Sequence, residues 1–304
     1  MEEWIGVGFA AASSALGGSA AAITRYLAVG ADPIAIAVIR FGLGFLLVLP
    51  IAVGTRVRWP PPGDWLGIAS LGILFFAVAI VLYNIALSYT TAVRATLVLS
   101  TLPFVTMVVG ALLGVEHTST RKVMGVIVAM FGVSIALVTG AVNAPPGAWR
   151  GELLMLGTSV CMSLYNVWSR PFIDRSSALA FLTIGMGAGA IALVVAGFFV
   201  SDMRQVVEFI STKWIASLYL SVGGGALAFV LWILALQCTT PTRVAVTITL
   251  NPISAALLAT VLLNEPITWT LIVGLLAILV GIGIVASSSV PQSKVTDLRN
   301  RDHP

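Results

Sequence analysis

The residues that could do chemistry in this chain are polar side chains lodged in long apolar runs, and the densest set of them falls between residues 158 and 170. Ser159, Ser163, Asn166 and Arg170 recur at steps of four, three and four, and Thr158, Cys161 or Met162, Tyr165 and Ser169 extend the same side. Residues three and four apart share a helix face, so this is a continuous polar stripe. Two uses are open to it. The hydroxyls and the carboxamide can line a path for a solute, since at membrane depth polar groups are tolerated where they face protein or water. They can also bond back to the preceding turn or to a neighbouring helix. A weaker counterpart, Ser13, Ser14, Gly17, Gly18 and Thr24, lies in the first apolar run.

Other candidates are scattered. Tyr83 and Asn84 lie inside the third run, and Trp232 lies at a comparable depth in the eighth. An aromatic wall with a polar tip suits the grip of a small amphipathic solute, or plain packing between helices. Trp4, Trp59, Trp149 and Trp269, by contrast, stand at run ends, where an interfacial aromatic belt accounts for them. Arg40 stands seven positions past Pro33 inside the second run, where a cation needs water, a carbonyl or an anion, and a substrate carboxylate is one such partner; snorkelling to the headgroups is another. Pro103 and Pro252 interrupt the fourth and ninth runs and are candidate hinges, with Ser100, Thr101 and Asn251 next to the freed carbonyls.

The absences point the same way. Every Asp and Glu is expected at a helix end or in a loop, with Glu152 nearest to membrane depth, while His117 falls in a loop and His303 in the tail. A buried carboxylate relay for proton coupling is therefore not expected, and facilitated diffusion is. No phosphate loop, nucleophile constellation or metal-ligand spacing occurs; neither a cofactor nor a metal is expected, and enzymatic activity is not. Cys161 and Cys238 read as small apolar core residues.

The elements that must position these groups follow from composition. Of 304 residues, 59% are hydrophobic and 9% charged, with mean hydropathy +1.05. Apolar runs of about 20 residues follow one another almost to the end, which is the signature of a polytopic membrane protein. Helices are expected at 4–27, 33–53, 65–88, 92–113, 121–140, 150–169, 178–200, 214–236, 242–263 and 269–287. The first run carries Glu2 and Glu3 in place of a basic leader and reads as a retained helix.

The chain also repeats. Trp65, Arg94, Pro103, Glu116, Gly125 and Gly132 return at a constant offset of 149 as Trp214, Arg243, Pro252, Glu265, Gly274 and Gly281, and Tyr83 returns as Trp232. Nearer the starts the offset is 145: Gly6 matches Gly151, Ser13 and Ser14 match Thr158 and Ser159, and Arg25 matches Arg170. At that offset Arg40 meets Gly185. Glu116 and Glu265 suit the N-terminal dipole of the helices that follow them, and the glycine pairs suit close helix contact.

Five helices per half is an odd number, so the second half enters the membrane from the opposite side. The expected fold is all-α: ten transmembrane helices as two inverted five-helix repeats, 1–140 and 150–288, around a central cavity lined by helices 1, 3, 4, 6, 8 and 9. Residues 1–288 form one transmembrane domain, and 289–304 a disordered polar tail. With both termini cytoplasmic, ten Lys and Arg fall inside and five outside.

The runs GADPIAIAVIRFGLGFLLVLP (residues 30–50) and ALSYTTAVRATLVLSTLPFVTMVVGALLGVEH (86–117), with its copy ALQCTTPTRVAVTITLNPISAALLATVLLNEPIT (235–268), resemble the drug/metabolite transporter superfamily, in particular its EamA-type ten-helix exporters. The resemblance implies an inner-membrane carrier that exports small metabolites, often amino acids, through a cavity between inverted repeats. The small four-helix multidrug members use an acidic residue in their first helix. This first helix has none within it, which disfavours proton-driven efflux of cationic drugs.

The expected function is therefore export of small zwitterionic or aromatic metabolites, amino acids first, by alternating access. A lipophilic drug or lipid-precursor carrier is the alternative within transport, and a membrane scaffold or passive pore the alternative outside it. The expected substrate-binding residues are Ser14, Arg40, Tyr83, Asn84, Ser100, Ser163, Tyr165, Asn166, Trp232 and Asn251. The expected partners are a small-molecule substrate and membrane lipid, with no nucleic acid; the oligomeric state is left open, a monomer being sufficient.

Overall fold

Backbone N–H and C=O groups in hydrocarbon have no water to bond, so apolar runs of this length fold as helices. The computed structural model describes residues 2–28, 32–114, 144–201 and 203–263, with isolated helical positions between 120 and 132 and between 269 and 280, and its regular structure there is all helical.

We label the helices in chain order. α1 is Glu2–Ala28. α2 runs through Pro33–Ala37, Val38–Leu43 and Gly44–Gly54. α3 comprises Trp65–Gly72, Ile73–Ala79 and Ile80–Tyr89, and α4 comprises Ala92–Leu99 and Leu102–Leu112. α5 is Ala148–Arg175, α6 Ala178–Val200, and α7 the short helix Arg204–Thr212. α8 joins Trp214–Ser221, Val222–Leu227 and Ala228–Cys238. α9 joins Pro241–Thr247 and Asn251–Leu263 through a 3₁₀ turn, Ile248–Leu250.

Seven of these helices, α1 to α4, α6, α8 and α9, are long and apolar enough to cross a membrane. α5 is as long but carries Arg150, Glu152, Arg170, Asp174 and Arg175 besides the polar stripe. The expected spans 121–140 and 269–287 lie outside the described residues except for isolated positions. Glu116, His117, Glu265, Gly274, Gly281 and the tail 289–304 lie outside them altogether.

Local chemistry sets the helix boundaries. Asp32 caps α2: its carboxylate accepts from Ile34 N at 2.7 Å and Ala35 N at 3.3 Å, while Pro33 occupies a first-turn position that has no N–H to satisfy. Thr91 caps α4 through Arg94 N at 3.2 Å. Arg25 donates to the terminal carbonyls of α3, Leu87 O at 2.6 Å and Ser88 O at 3.2 Å.

α3 and α8, and α4 and α9, are interrupted at matching places, whereas the π-helical stretch Val38–Leu43 of α2 has no match in α6. π-Helical stretches occupy Ile73–Ala79 in α3 and Val222–Leu227 in α8, which start 149 residues apart. Pro103 and Pro252 follow breaks in their helices and do not merely bend them. α4 stops at Ser100 and Thr101, and Pro103 sits in the first turn of a new segment, where its missing N–H is harmless. In α9 the 3₁₀ turn precedes Asn251 and Pro252 in the same way.

The halves grip each other by reciprocal contacts. Ser13 Oγ donates to Ala228 O at 2.7 Å, and its counterpart Thr158 Oγ1 donates to Ala79 O at 3.3 Å, both residues of each bond being exchanged for their repeat equivalents. Gly6 lies against Ala235 O and the Thr239 methyl, and Gly151 against Ala86 O and the Thr90 methyl. A side chain at either glycine would push apart α1 and α8, or α5 and α3. The aromatic core of the bundle, Phe41, Phe75, Phe76, Tyr165, Phe181 and Phe229, has ring centroids from 4.4 to 6.0 Å apart. Tilted and edge-on pairs of this kind are favoured by the ring quadrupoles.

Candidate functional site

Where α1, α2, α3, α4, α5, α8 and α9 converge, a narrow central cavity remains. Its volume of about 50 Å³ holds a few water molecules. The lining is drawn from paired positions of the repeat: Gly17 and Met162, Ile80 and Phe229, Tyr83 and Trp232, Leu99 and Ile248. Ser13, Ser14, Asn251, Arg40 and Ala228 complete it. Tyr83 and Trp232 are 5% and 3% exposed, in contrast to Trp4 at 76% and Trp149 at 60%, so the first two belong to the interior and the others to the outer surface.

The polar groups of the cavity are held from behind. Ser14 Oγ and Thr247 Oγ1 are hydrogen-bonded at 3.0 Å. Trp232 Nε1 donates to Asn166 Oδ1 at 3.1 Å, which fixes the indole plane. The Asn251 carboxamide lies beside Gly17, and its Oδ1 is buried without a hydrogen-bond partner. An unpaired buried acceptor costs about 1–3 kcal/mol.

Arg40 is the one charged residue of the lining and is 4% exposed. Its Nε and Nη2 both donate to Gly224 O, at 3.1 and 2.8 Å. The guanidinium carbon lies 5.1 Å from the Phe41 ring centroid and 5.9 Å from that of Tyr83. Among the described residues no carboxylate pairs with it, in contrast to Arg94, which pairs with Glu152, and Arg175, which pairs with Asp64.

Of the residues singled out from sequence, Ser14, Arg40, Tyr83, Trp232 and Asn251 meet at this cavity, and the rest are placed around it. Asn166 stands behind Trp232, with its Nδ2 unpaired. Asn84 Nδ2 donates to Pro33 O at 2.8 Å, tying α3 to the start of α2. Ser100 Oγ returns to Thr96 O at 2.9 Å. Ser163 Oγ and the Tyr165 hydroxyl are buried without partners, and the Tyr165 ring sits 4.4 Å from Phe75. Phe229, Ile80, Leu99 and Ile248 were not singled out. The repeat carried their signal: Ile80 and Phe229 precede Tyr83 and Trp232 by three residues on the same helix faces.

A family profile, that of the EamA-like transporter family, matches residues 4–138 and again 149–287. The chain belongs to the EamA-like transporter family. It is accordingly a multi-pass membrane transporter and not an enzyme. This EamA-like transporter is 25% identical over 256 residues to an uncharacterized transporter of Archaeoglobus fulgidus, covering 84% of this chain and 88% of that protein. It is 26% identical over 275 residues to an uncharacterized transporter of Clostridium kluyveri, covering 88% and 87%. Bacillus subtilis YyaM, also an uncharacterized transporter, is 22% identical over 255 residues, covering 83% of each chain. A solved crystal structure with 19% identity superposes at a TM-score of 0.71 over 92% of this chain and 96% of the other, and so shares the fold.

Within the EamA-like transporter, both ends of α5 are pinned. Arg175 holds Asp64 in a bidentate pair at 2.8 and 2.9 Å, beside the start of α3. At the other end Glu152 Oε1 accepts from Arg94 Nε and Nη2 at 2.9 and 2.5 Å, joining α5 to α4, and the two side chains are 22% and 13% exposed. Screening by water at that exposure leaves about 1–2 kcal/mol for the pair. Glu152→Gln and Arg94→Gln should each lower the thermal midpoint by a few degrees, and the reversed pair Arg94→Glu/Glu152→Arg should recover part of it. Flux that loses its dependence on a pH gradient in Glu152→Gln would instead make Glu152 a proton carrier.

Proposed function

We propose that this transporter exports small zwitterionic metabolites, amino acids first and aromatic ones included, by alternating access and as a facilitator. The observation that carries the reading is the cavity lining, in which repeat-related positions from both halves face one another across one space. A site placed on the relation between two halves can be opened to either side by exchanging their conformations. The cavity as it stands is too small for an amino acid, so loading requires the helices to part.

The reading includes ten transmembrane helices in two inverted five-helix repeats, forming a single domain over residues 1–288. The reciprocal bonds from Ser13 to Ala228 O and from Thr158 to Ala79 O support this arrangement. It places the chain in the inner membrane with both termini cytoplasmic, a placement favoured by its Lys and Arg distribution. The solute contacts would be Ser14, Arg40, Tyr83, Trp232 and Asn251, with Asn84, Ser100, Ser163, Tyr165 and Asn166 behind them. The breaks before Pro103 and Pro252 would act as hinges. The apolar wall of Ile80, Leu99, Met162, Phe229 and Ile248 would also admit a lipophilic drug or lipid precursor, which is the second reading.

The test is uptake of labelled amino acids into proteoliposomes containing the purified protein, with and without an imposed pH gradient. Saturable flux that ignores the gradient is expected. Flux seen only with the gradient would overturn the facilitator, and uptake confined to lipophilic compounds would replace the amino-acid reading with the second one.

A further inference from the structure

We propose that Arg40 and the Gly224 carbonyl form the element that selects the solute: Arg40 binds a single carboxylate by exchanging it for Gly224 O, so the cavity accepts monocarboxylates and rejects the corresponding amides and amines. The proposal rests on the central cavity being the solute site.

Three observations meet here. The first is the state of the arginine. It is buried in the bundle and directs two donors at one neutral carbonyl oxygen. A carboxylate offers two acceptors in fork geometry and a full negative charge, so it takes both donors in parallel and adds an ion pair that the neutral carbonyl cannot supply. The aromatic faces of Phe41 and Tyr83 steady the cation without neutralising it.

The second observation is the acceptor. Gly224 lies in the π-helical stretch of α8, and Arg40 in the π-helical stretch of α2, Val38–Leu43. In a π turn the regular i to i−4 bonding is lost, so a carbonyl can turn toward a side-chain donor. The glycine run 223–225 makes the approach possible. A Cβ at Gly224 would stand 2.6 Å from the Ala20 side chain, and one at Gly225 2.5 Å from Arg40 O. Ser221 Oγ adds a bond to Ile39 O at 2.9 Å. Helices α2 and α8 are thus closed on each other through one arginine that also lines the cavity, and a solute that takes the guanidinium releases one of their ties.

The third observation is the asymmetry of the repeat. The position that matches Arg40 is Gly185, which packs against Gly72 backbone to backbone. The other half therefore closes without a charge, and the cavity presents one cationic clamp with an apolar wall beyond it. One carboxylate at one end of an apolar body is the solute shape that this lining complements.

The experiment compares phenylacetate, phenylacetamide and phenethylamine as ligands of the purified protein by thermal shift, and as competitors of whichever amino acid is transported in proteoliposomes. In the wild type the acid should bind and compete at least about tenfold better than the amide, a difference of about 1.4 kcal/mol, and the amine worst. In Arg40→Gln that discrimination should fall to within about twofold, while Arg40→Lys should retain part of it. Hydrogen exchange in the peptide spanning 222–227 should speed up with the acid and stay unchanged with the amide.

Equal binding of acid and amide to the wild type overturns the selection by Arg40, as does an Arg40→Gln protein that folds and still discriminates. Acid binding that leaves exchange at 222–227 unchanged overturns the release of Gly224. If the acid binds selectively but no amino acid is transported, the selection stands and the amino-acid export reading fails.

Discussion

Gly72→Ala and Gly18→Ala are expected to abolish the stable bundle, while Gly185→Ala and Gly223→Ala are expected to be tolerated. A Cβ at Gly72 would lie 2.1 Å from Gly185 O and 2.4 Å from its Cα. At Gly18 it would lie 2.2 Å from Asn251 O, 2.3 Å from Ser254 Oγ and 2.7 Å from Asn251 Cα. The obstacles are mostly backbone atoms, which cannot rotate aside, so α3 and α6, or α1 and α9, must separate. Overpacking that side chains can relieve costs about 1–3 kcal/mol, and these clashes exceed that range. The helix contacts that follow depend on small residues for their closeness. Gly185 differs from its partner because its own Cβ direction meets Gly72 Cα only at 3.5 Å, and at Gly223 the Tyr219 ring is met at 3.6 Å. Size-exclusion profile and thermal midpoint in detergent measure the contrast. A Gly72→Ala protein as monodisperse and as stable as Gly185→Ala would show that α3 and α6 are not in backbone contact at Gly72.

One of these glycines also shows what was legible before the structure. Gly18 reads as part of a weak polar stripe, whereas its use is geometric: it lets α1 cross α9. Composition announced a polytopic helical protein, and the offset of 149 announced paired positions, from which Tyr83 and Trp232 followed directly. The partners did not follow. The depth of Arg40 can be counted from Pro33, but its acceptor is 184 residues away and depends on a π turn. The stretch Ile73–Ala79 carries no residue that would mark it as π-helical. Periodicity likewise put Tyr165 and Asn166 in one polar group because both lie on α5. Neighbouring residues on a helix point about 100° apart, so one ring enters the phenylalanine cluster and the other side chain reaches Trp232.

That divergence makes the largest functional prediction. Trp232→Ala should raise the half-saturation concentration for the transported solute about 30-fold, the effect of removing a central buried aromatic contact worth about 2 kcal/mol. Trp232→Phe keeps most of the wall but loses the bond to Asn166, and should cost about threefold to tenfold. Asn166→Leu deletes the same bond from the other side and should match it. The double variant should be no worse than either single one, because both remove one interaction and their effects are not additive. Tyr165→Phe tests the alternative that the stripe itself touches solute. Its hydroxyl is buried without a partner and its ring packs on Phe75, Phe76 and Phe181. Removing the hydroxyl should therefore leave affinity within about twofold and stability unchanged or raised. A Tyr165→Phe protein that loses affinity as Trp232→Ala does would move the solute from the space between Tyr83 and Trp232 to the face of α5. Trp232→Ala with unaltered flux would remove this cavity from the path altogether.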